Sequence, residues 1–362
     1  MKSSGTARRV FMAVGIAAGV ILLCAAALII WLTVCEYRPD DVEPLSLEGS
    51  ADAVITSGDT LSLLSFNIGY AGLGCEEDFF MDGGSATRPD ERSDVEGYLN
   101  GIVAAINDID PDICLLQETD LNSARTYGIN ENAVLHSAFG GSAAFAYNYK
   151  CPFVPFPLPP LGRVESGLLT LSRYDVEEAD RVALPVPFKW PVRAANLKRC
   201  LLVERLPLSD GSELVLINLH LEAYDDGSGK LAQAHMLIDI LNEEYEKGNY
   251  VVAGGDFNQS FASAGADYPI LSEDYWKPSE FPEELLPEGW QAAFDASVPS
   301  CRLLNKPYSG DRSDTQFYLI DGFILSPNVT LGQVKTLDLD FQYADHNPVY
   351  LEITLGQREA QP

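Results

Sequence analysis

The hydrophobic positions of the chain form one long run near the N-terminus and many short runs after it. The long run, residues 10–34, contains no charged residue and exceeds the roughly 20 apolar residues that a helix needs to cross a bilayer. From residue 60 onward, short apolar runs alternate with segments of helical periodicity. The short runs predict buried strands, and the periodic segments predict amphipathic helices. The pattern therefore predicts one α/β domain that follows a single transmembrane helix.

The predicted strands share an apolar run that ends at a polar or turn-forming residue. They cover 61–66, 112–117, 167–172, 199–205, 213–219, 250–255, 317–325 and 349–354. One helix is predicted to begin with a Ser-x-x-Glu capping box at Ser93 and to end before Pro111. A second helix is predicted over 230–247, with Gly248 as its C-cap. Residues 263–315 show no regular pattern and are predicted to be irregular.

Charges of opposite sign flank the long apolar run. Basic residues precede it and acidic residues follow it, namely Lys2, Arg8 and Arg9 before and Glu36, Asp40, Asp41 and Glu43 after. This asymmetry predicts a single-pass protein of the cell membrane with a cytoplasmic N-terminus and an extracytoplasmic remainder. A cleaved signal peptide is one alternative, although its apolar region is normally only about 7–15 residues long. Lipid modification of Cys35 is another.

These features divide the chain into five parts. They are a cytoplasmic basic tail (1–9), a transmembrane anchor (10–34), a linker (35–59), one folded domain (60–356) and a C-terminal tail (357–362). The formal net charge is −29, and residues 1–35 hold three of the 24 basic residues and none of the 53 acidic ones. The exported part therefore has 21 basic and 53 acidic residues, a net charge of −32. Such a surface argues against a dedicated high-affinity DNA-binding protein.

The seven cysteines show no Cys-x-x-Cys pair and no zinc-ligand spacing. Cys114 and Cys200 lie in apolar runs and are predicted to be buried thiols. Cys75, Cys151 and Cys301 lie in loop-like sequence, and their pairing outside the cell is left open because three is an odd number.

The run at 250–255 leads directly into Asp256 and Asn258. Residues two apart at a strand end project to the same side of the backbone. The preceding Gly254 and Gly255 allow another group to approach the main chain closely. A carboxylate that takes a proton from water, beside an amide that orients the water, is typical of a hydrolase.

Comparable polar side chains end or follow the other strands. They are Asn67, Glu118, His220, Asp321, and Asp345 with His346. α/β folds build their sites by placing acids, amides and imidazoles at the ends of apolar strands. Because the set contains every residue type that a metal-assisted hydrolase needs, we expect these side chains to meet in one site.

The short motifs around these residues occur in a recognisable order. They are Ser65-Phe66-Asn67, Leu116-Gln117-Glu118, Asn218-Leu219-His220-Leu221, Gly255-Asp256-Phe257-Asn258, Ile320-Asp321 and Asp345-His346-Asn347-Pro348-Val349. They resemble the endonuclease/exonuclease/phosphatase superfamily, which includes pancreatic-type deoxyribonuclease, abasic-site endonucleases, inositol polyphosphate 5-phosphatases and neutral sphingomyelinases. The resemblance spans about residues 60–355. It implies a four-layer α/β/β/α sandwich of two mixed sheets that hydrolyses phosphoester P–O bonds at one edge of the sheets.

The resemblance and the chemistry of phosphoester cleavage together suggest which residues move the proton and hold the metal. Asp256 is the expected general base, and Asn258 is the amide expected to hold water or phosphate in place. A hard divalent cation offsets the charge that develops on the phosphoryl oxygens. Mg²⁺, with Mn²⁺ or Ca²⁺ as alternatives, is expected on Glu118, with Asn67 and Asp345 beside it.

Two of the four histidines belong to the same set. His346 is expected to donate to a non-bridging phosphoryl oxygen, with Asp321 fixing its tautomer. His220 is expected to stabilise the phosphoryl oxygens or to assist the leaving group. His136 and His235 are expected to have structural or surface roles.

Three further basic or hydroxyl side chains and one loop are weaker candidates for substrate contact. Arg163, Ser166 and Arg173 flank the run 167–172 and could bind a phosphate, or could be ordinary surface residues. The apolar segment 153–158 could touch lipid or pack as a loop.

Three interpretations of the substrate remain open at this stage. The first is a phospholipid head group or small phosphoester, which a position on the outer face of a membrane favours. The second is nucleic acid, cleaved by a tethered secreted nuclease that scavenges DNA or RNA. The third is a catalytically silent binding module. The bilayer is the expected partner of residues 10–34, and no protein partner is predicted.

Overall fold

Two seven-stranded mixed sheets carry the fold. The computed structural model describes residues 3–356, so residues 1–2 and the predicted tail 357–362 lie outside the described part. The first sheet contains, in order, β17 (Val329–Thr336), β18 (Val349–Leu355), β3 (Thr60–Asn67), β4 (Ile113–Asp120), β6 (Gly162–Ser172), β5 (Ser142–Val154) and β2 (Glu48–Gly49). The second contains β1 (Val42–Pro44), β7 (Glu178–Ala183), β8 (Cys200–Pro207), β9 (Glu213–His220), β10 (Tyr250–Asp256), β16 (Asp321–Leu325) and β13 (Gln291–Ala293).

Four α-helices and two small strand pairs complete the described architecture. The helices are α1 (Ser3–Val34), α2 (Arg92–Ile109), α3 (Glu131–Phe139) and α4 (Ser228–Glu246). The pairs are β11 (Gln259–Ser260) with β12 (Ser279–Glu280), and β14 (Cys301–Arg302) with β15 (Phe317–Tyr318). Residues 8–34 of α1 are long and apolar enough to cross a membrane by length and composition.

Successive side chains of the central strands point to opposite faces of each sheet. One face packs against the other sheet and the opposite face packs against helices, which gives four layers. In β3, Leu61 and Leu63 join the core between the two sheets, whereas Leu64 and Phe66 join the core beneath α2. The second sheet is covered on its outer face by the buried residues of α4, which are Ala234, Leu237, Ile238 and Leu241. The α/β/β/α sandwich of two mixed sheets is therefore confirmed.

Most predicted strands are present within a residue or two of their expected bounds, but some local predictions were wrong. The helix α2 begins at Arg92, one residue before the predicted start, and its reciprocal capping box joins Glu91 and Asp94. The predicted strand 317–325 is divided into β15 and β16. Both segments are strands, but β15 pairs with β14, whereas β16 belongs to the second seven-stranded sheet. Leu319 and Ile320 connect them.

The segment predicted as a linker, residues 35–59, is bound to both sheets. Its strand β1 pairs with β7, and β2 pairs with β5, so it supplies one edge strand to each sheet. Ile55 is buried in the core between the sheets. The chain therefore joins α1 to the domain through ordered pairing rather than through a free tether.

All seven cysteines are free thiols in the structure. Cys114 and Cys200 are buried, as predicted. Cys75, Cys151 and Cys301, whose pairing was left open, are not joined to one another.

A partly buried ion pair attaches the end of α4, which leads into β10, to strand β8. Glu244 accepts hydrogen bonds from Arg205 at 2.7 and 3.0 Å, from Lys247 at 2.8 Å and from Asn249 at 3.0 Å. Burial alone would raise the pKa of Glu244, but these donors, with Arg205 foremost, lower it to about 2. The carboxylate is thus held in its charged form by the fold.

We expect Glu244→Gln to lower the free energy of unfolding at pH 7 by about 1–2 kcal/mol. Because the folded pKa is depressed, this stability is present above the ordinary pKa near 4.5 and is lost as the pH falls towards 2. The difference between variant and wild type should therefore shrink in urea unfolding of the detergent-solubilised chain at pH 3. Glu243→Gln, at an exposed neighbour, should change stability at neither pH. A Glu244→Gln difference that is equal at both pH values would contradict the assignment.

Candidate active site

Six strand ends of the two sheets meet at one edge of the sandwich. β3 and β4 are parallel neighbours in the first sheet, and β9 and β10 are parallel neighbours in the second, so each pair places its carboxyl ends together. β16 runs antiparallel to β10 with Asp321 opposite Asp256, and β18 runs antiparallel to β3 with Val349 opposite Ser65. The residues that begin β16 and precede β18 therefore join the same edge.

Local backbone conformation directs several of these side chains. β4 contains a register shift against β6, and Glu118 within it has a left-handed φ of 54°. Such a bulge re-aims a side chain, and the conformation costs a non-glycine residue about 1–3 kcal/mol. Asn258 also has a positive φ, 51°, which asparagine tolerates better. A side chain at Gly255 would collide with the carbonyl of Leu219, so the close backbone approach expected of this glycine is confirmed.

Asp256 lies buried at the centre of the group. Its Oδ2 accepts a hydrogen bond from Asn67 Nδ2 at 3.1 Å and lies 3.3 Å from His220 Nε2. Its Oδ1 accepts from the backbone N–H of Asn258 at 2.8 Å. Burial, and then the charge of Asp321, raises the pKa of Asp256 above its usual range. A carboxylate with a raised pKa is a stronger base, which is the property that a general base needs.

His346 is held by a chain of two buried polar groups. Its Nδ1 lies 2.8 Å from Asp321 Oδ2, and Ser300 Oγ donates to the same oxygen at 2.7 Å. Ser300 Oγ also accepts from the backbone N–H groups of Ile320 and Asp321. Burial opposes charging of His346, but the Asp321 carboxylate outweighs it and raises the pKa of His346 well above its usual range. Its other ring nitrogen, Nε2, lies 3.9 Å from Asp256 Oδ2.

His220 has the opposite electrostatic environment. Burial, followed by the positive charges of Arg199 and His346, lowers the pKa of His220 well below its usual range. Arg199 donates to the backbone carbonyl of His220 at 3.0 Å and lies 3.4 Å from Glu222. At neutral pH these opposite shifts favour a cationic His346 and a neutral His220. Acid–base catalysis uses a separation of pKa values of this kind.

Glu118 and Asp345 are two acidic side chains of the same cleft that could hold a divalent cation. Asp345 is buried, its Oδ1 has no hydrogen-bond partner among the described residues, and a side chain at Gly69 would press on that oxygen. Burial raises the pKa of Asp345 to about 7, a shift that the charge of His346 opposes and the charge of Glu118 reinforces. Neighbouring carboxylates with an unpartnered oxygen form a donor set that a hard cation neutralises.

Asn67, the third expected ligand, faces the carboxylates with its nitrogen. Its Nδ2 lies 3.5 Å from Glu118 Oε1 as well as bonding to Asp256, and its Oδ1 accepts from the Gly69 N–H at 3.0 Å. Asn67 Oδ1 can bind a cation while it still accepts from the Gly69 N–H. A flip of the side-chain amide would instead direct Oδ1 towards the carboxylates. In this arrangement Asn67 mainly orients Asp256.

Among the described residues, two sets bring three potential metal ligands within 4.8 Å of one another, and neither includes Glu118. They are Cys301 with Asp345 and His346, and Asp256 with Asp321 and His346. His346 belongs to both sets, and its Nδ1 is engaged by Asp321. The second set is therefore accounted for by hydrogen bonding within the site.

Asn258 follows Asp256 as the motif predicts. Its Nδ2 donates to the backbone carbonyl of Leu221 at 2.9 Å, which leaves Oδ1 as the atom that can orient a water molecule. The side chain lines the same cleft as Asp256, His220 and His346. All eight predicted site residues thus lie at this edge of the sheets.

The weaker candidates divide into those inside the cleft and those outside it. Ser166 lines the cleft and accepts from Arg125 at 3.2 Å. Arg163 is exposed and donates to Asn122. Arg173 pairs with Asp110 beyond the other end of β4, so it lies far from Glu118.

Several polar residues of the site were missed by sequence reasoning. Tyr70 lines the cleft with its hydroxyl unpartnered among the described residues, and the Arg125 guanidinium stacks 3.5 Å from the centre of its ring. Tyr224 donates to Asp82 at 2.9 Å in the same cleft. None of these residues comes directly after a predicted strand. The positive φ of Tyr70 (43°) has no signature in the sequence.

A buried amide pair couples the two sheets behind the site. Gln117 Nε2 donates to Asn218 Oδ1 at 2.8 Å, and Asn218 Nδ2 donates to the carbonyls of Leu116 and Leu169 at 3.2 Å. Because Gln117 precedes Glu118 and Asn218 lies two residues before His220, the pair sets the relative position of the two halves of the site.

The sandwich and the cluster of acid, amide and imidazole groups at its edge define a class of proteins, the phosphoester hydrolases of this architecture. The chain belongs to the endonuclease/exonuclease/phosphatase family, whose model matches residues 64–332. Enzymes of this family hydrolyse phosphoester bonds and generally use divalent metal ions. No curated protein matches the chain in the sequence comparison.

Solved structures share the fold at low sequence identity. An endonuclease/exonuclease/phosphatase protein from Beutenbergia cavernae has a TM-score of 0.59 and 17% identity, covering 83% of this chain and 73% of its own. A conserved protein of unknown function from Enterococcus faecalis has a TM-score of 0.54 and 15% identity, with coverages of 82% and 100%. A family member from Bacteroides thetaiotaomicron has a TM-score of 0.53 and 16% identity, with coverages of 83% and 100%.

Proposed function

We propose that the protein is a membrane-anchored, extracytoplasmic, metal-dependent phosphoesterase that hydrolyses P–O bonds. The observation that carries the proposal is the environment of Asp256, a buried carboxylate of raised pKa held between Asn67 and His220 and beside His346. Membership of the endonuclease/exonuclease/phosphatase family supports the reaction class.

Each residue has a distinct part in the proposed reaction. Asp256 takes a proton from the attacking water, whose oxygen bonds to phosphorus as the bond to the leaving oxygen breaks. The leaving oxygen keeps the bonding electron pair and takes its proton from solvent, while a ring N–H of the neutral His220 donates a hydrogen bond to it. The cationic His346 donates to a non-bridging oxygen, where negative charge accumulates, while Asn258 holds the water in line.

The metal would be held by Glu118 and Asp345, with Asn67 alongside. We propose Mg²⁺, because carboxylate oxygens and a sparse ligand set suit a cation that keeps several waters. When bound, it supplies charge neutralisation at the phosphoryl oxygens.

The proposed location rests on α1 and its flanking charges. Residues 8–34 are long and apolar enough to span a bilayer, and acidic residues follow the helix. On this topology the catalytic domain faces the outside, where phospholipid head groups and small phosphoesters are the substrates that we favour. The net charge of −32 beyond residue 35 disfavours a nucleic-acid polyanion.

The reaction class is tested with bis-p-nitrophenyl phosphate and the detergent-solubilised full chain. We expect EDTA to abolish hydrolysis and Mg²⁺ to restore it. Glu118→Gln should raise the Mg²⁺ concentration for half-maximal activity at least about 10-fold, whereas Glu246→Gln, at an exposed position on α4, should not. Undiminished hydrolysis by metal-stripped wild-type protein would contradict metal dependence.

The substrate class is tested with sphingomyelin, inositol phosphates and plasmid DNA, each with and without EDTA. Metal-dependent turnover of the first two, faster than that of DNA, is the expected result. Preferential cleavage of DNA would replace the proposal by a tethered nuclease.

A further inference from the structure

The cleft that contains the candidate active site continues as one cavity to the membrane-spanning helix α1. It has a volume of about 770 Å³ and is lined at one end by Glu118, Asp256 and His346. At the other end it is lined by Ile29 and Leu32 of α1. A volume of this size is in the range of sites for small organic ligands. The helix that carries the protein in the membrane is thus also a wall of the catalytic cavity.

The apolar side of α1 is packed against the domain at this point. Leu32 is only 6% exposed and packs in one cluster with Cys151, Val154, Val164 and Ala194. A membrane-spanning helix that merely tethered a soluble domain would have no need to bury a leucine in it. The packing places the cavity mouth at the end of the bilayer-spanning segment.

Polar contacts fix the same junction just outside the helix. The buried carboxylate of Glu36 accepts from Arg193 at 2.9 Å and lies 3.7 Å from Lys198 Nζ. Trp190 Nε1 donates to Thr33 Oγ1 at 3.0 Å. These bonds hold the last turn of α1 in one orientation relative to the active site.

A set of exposed apolar side chains surrounds the mouth of the cavity. This apolar rim consists of Phe156, Leu158, Trp190 and Val192, which are between 59% and 89% exposed. Phe156 and Val192 line the same cavity as Ile29 and Leu32, and Trp190 is bonded to α1. Large apolar side chains exposed together indicate an interaction surface, and their position beside the end of α1 indicates that the surface is the bilayer.

We propose that the cavity binds the hydrocarbon chain of a membrane lipid whose phosphoester is the substrate. The lipid enters sideways from the outer leaflet, between α1 and the apolar rim, and its phosphate reaches Asp256. The apolar middle of the cavity, which includes Tyr149, Val154 and Leu161, receives the chain. This inference rests on the proposed function and adds to it a substrate with at least one long acyl or alkyl chain.

The first experiment measures binding and does not depend on hydrolysis. The full chain is placed in nanodiscs that contain phosphatidylcholine with a photoreactive diazirine on one acyl chain, in the presence of EDTA. After illumination, we expect cross-links to Tyr149, Val154 or Leu161, which lie inside the cavity. Ile29→Trp should reduce these cross-links about 10-fold, since the larger side chain fills the space that the chain would occupy.

A matched variant on the same helix controls for general effects on the membrane segment. Ile30 is 64% exposed and does not line the cavity, so Ile30→Trp should leave the cross-links unchanged. Cross-links confined to the outer surface of α1 and the apolar rim in the wild type would overturn the proposal. Equal labelling of the wild type and Ile29→Trp would do so as well.

The second experiment compares long-chain and soluble substrates. We expect Ile29→Trp to lower the ratio of sphingomyelin to bis-p-nitrophenyl phosphate hydrolysis about 10-fold, and Ile30→Trp to leave the ratio unchanged. A ratio unaffected by Ile29→Trp counts against a chain-binding cavity. If the wild type hydrolyses neither compound, the proposed function fails, and the cross-linking result still decides whether the cavity binds lipid.

Discussion

Replacing Asp256 by asparagine should lower kcat for phosphodiester hydrolysis by about 10²–10⁴-fold, the contribution of a positioned general base. Asparagine keeps the size of the side chain and its Oδ1 can still accept from Asn258, but it cannot take a proton from water. Its amide nitrogen would also face Asn67 Nδ2, which now donates to Asp256 Oδ2, and His220 Nε2, which lies 3.3 Å from that oxygen. The loss should therefore appear in kcat much more than in KM.

The controls separate catalysis from folding. Asp239→Asn, at an exposed position on α4, removes the same charge outside the site and should retain wild-type activity. Thermal unfolding of Asp256→Asn should remain cooperative, because a buried carboxylate of raised pKa gains little stability from its charge. A folded Asp256→Asn protein with less than about a 10-fold loss would assign the base to another group.

Removing the imidazole of His346 should lower kcat by about 10²–10³-fold, the range found for loss of one donor to a developing oxyanion. Asp321 Oδ2 lies 2.8 Å from His346 Nδ1 and raises the pKa of His346, which favours its cationic form. His346→Ala therefore removes both a donor and a positive charge. His235→Ala, at an exposed position on α4, is the matched control and should retain activity. A comparable loss in both variants would show that the effect is not specific to the site.

Asp321 acts through His346 in this scheme and is a positioning residue. Asp321→Asn should release the ring from its orientation and lower kcat by no more than His346→Ala does, about 10²–10³-fold. A double-mutant cycle tests the connection, because His346→Ala combined with Asp321→Asn should be no slower than His346→Ala alone. Additive losses would mean that Asp321 contributes independently of His346.

The residues of the candidate site could be identified in the sequence because they are local features of strand ends. Asn67 and Asp256 each end a short apolar run, and the strands that carry them lie in the middle of the two sheets. Burial on both faces makes such strands nearly continuous apolar runs, so their ends are visible in the sequence. The polar residue that follows each run then marks the edge of the sheet.

Strands with little apolar area were not predicted. β5 alternates small and aromatic residues, as in Ala143-Ala144-Phe145-Ala146-Tyr147, and alanine carries too weak a signal to complete the pattern. β17 is an edge strand with Gly332 at a register irregularity, and most of its side chains are not buried. Edge strands and bulges break the alternation on which the prediction depends.

The supporting residues of the site could not be predicted because their partners are distant along the chain. Ser300 contacts Asp321, 21 positions away, and Gln117 contacts Asn218, 101 positions away. The Ser300 hydroxyl also accepts hydrogen bonds from the backbone N–H groups of Ile320 and Asp321. These bonds lie at the point where the predicted strand 317–325 is divided. Only the packed fold brings such pairs together.

The pairing of residues 35–59 with both sheets bears on how the proposed enzyme would meet its lipid substrate. Glu36 is held by Arg193, and two paired edge strands follow it. If α1 spans the bilayer as proposed, the domain therefore stays next to the membrane. Encounter with a lipid then becomes a search by lateral diffusion in two dimensions. Turnover should follow the mole fraction of substrate in the surrounding leaflet and should be indifferent to dilution of the whole suspension.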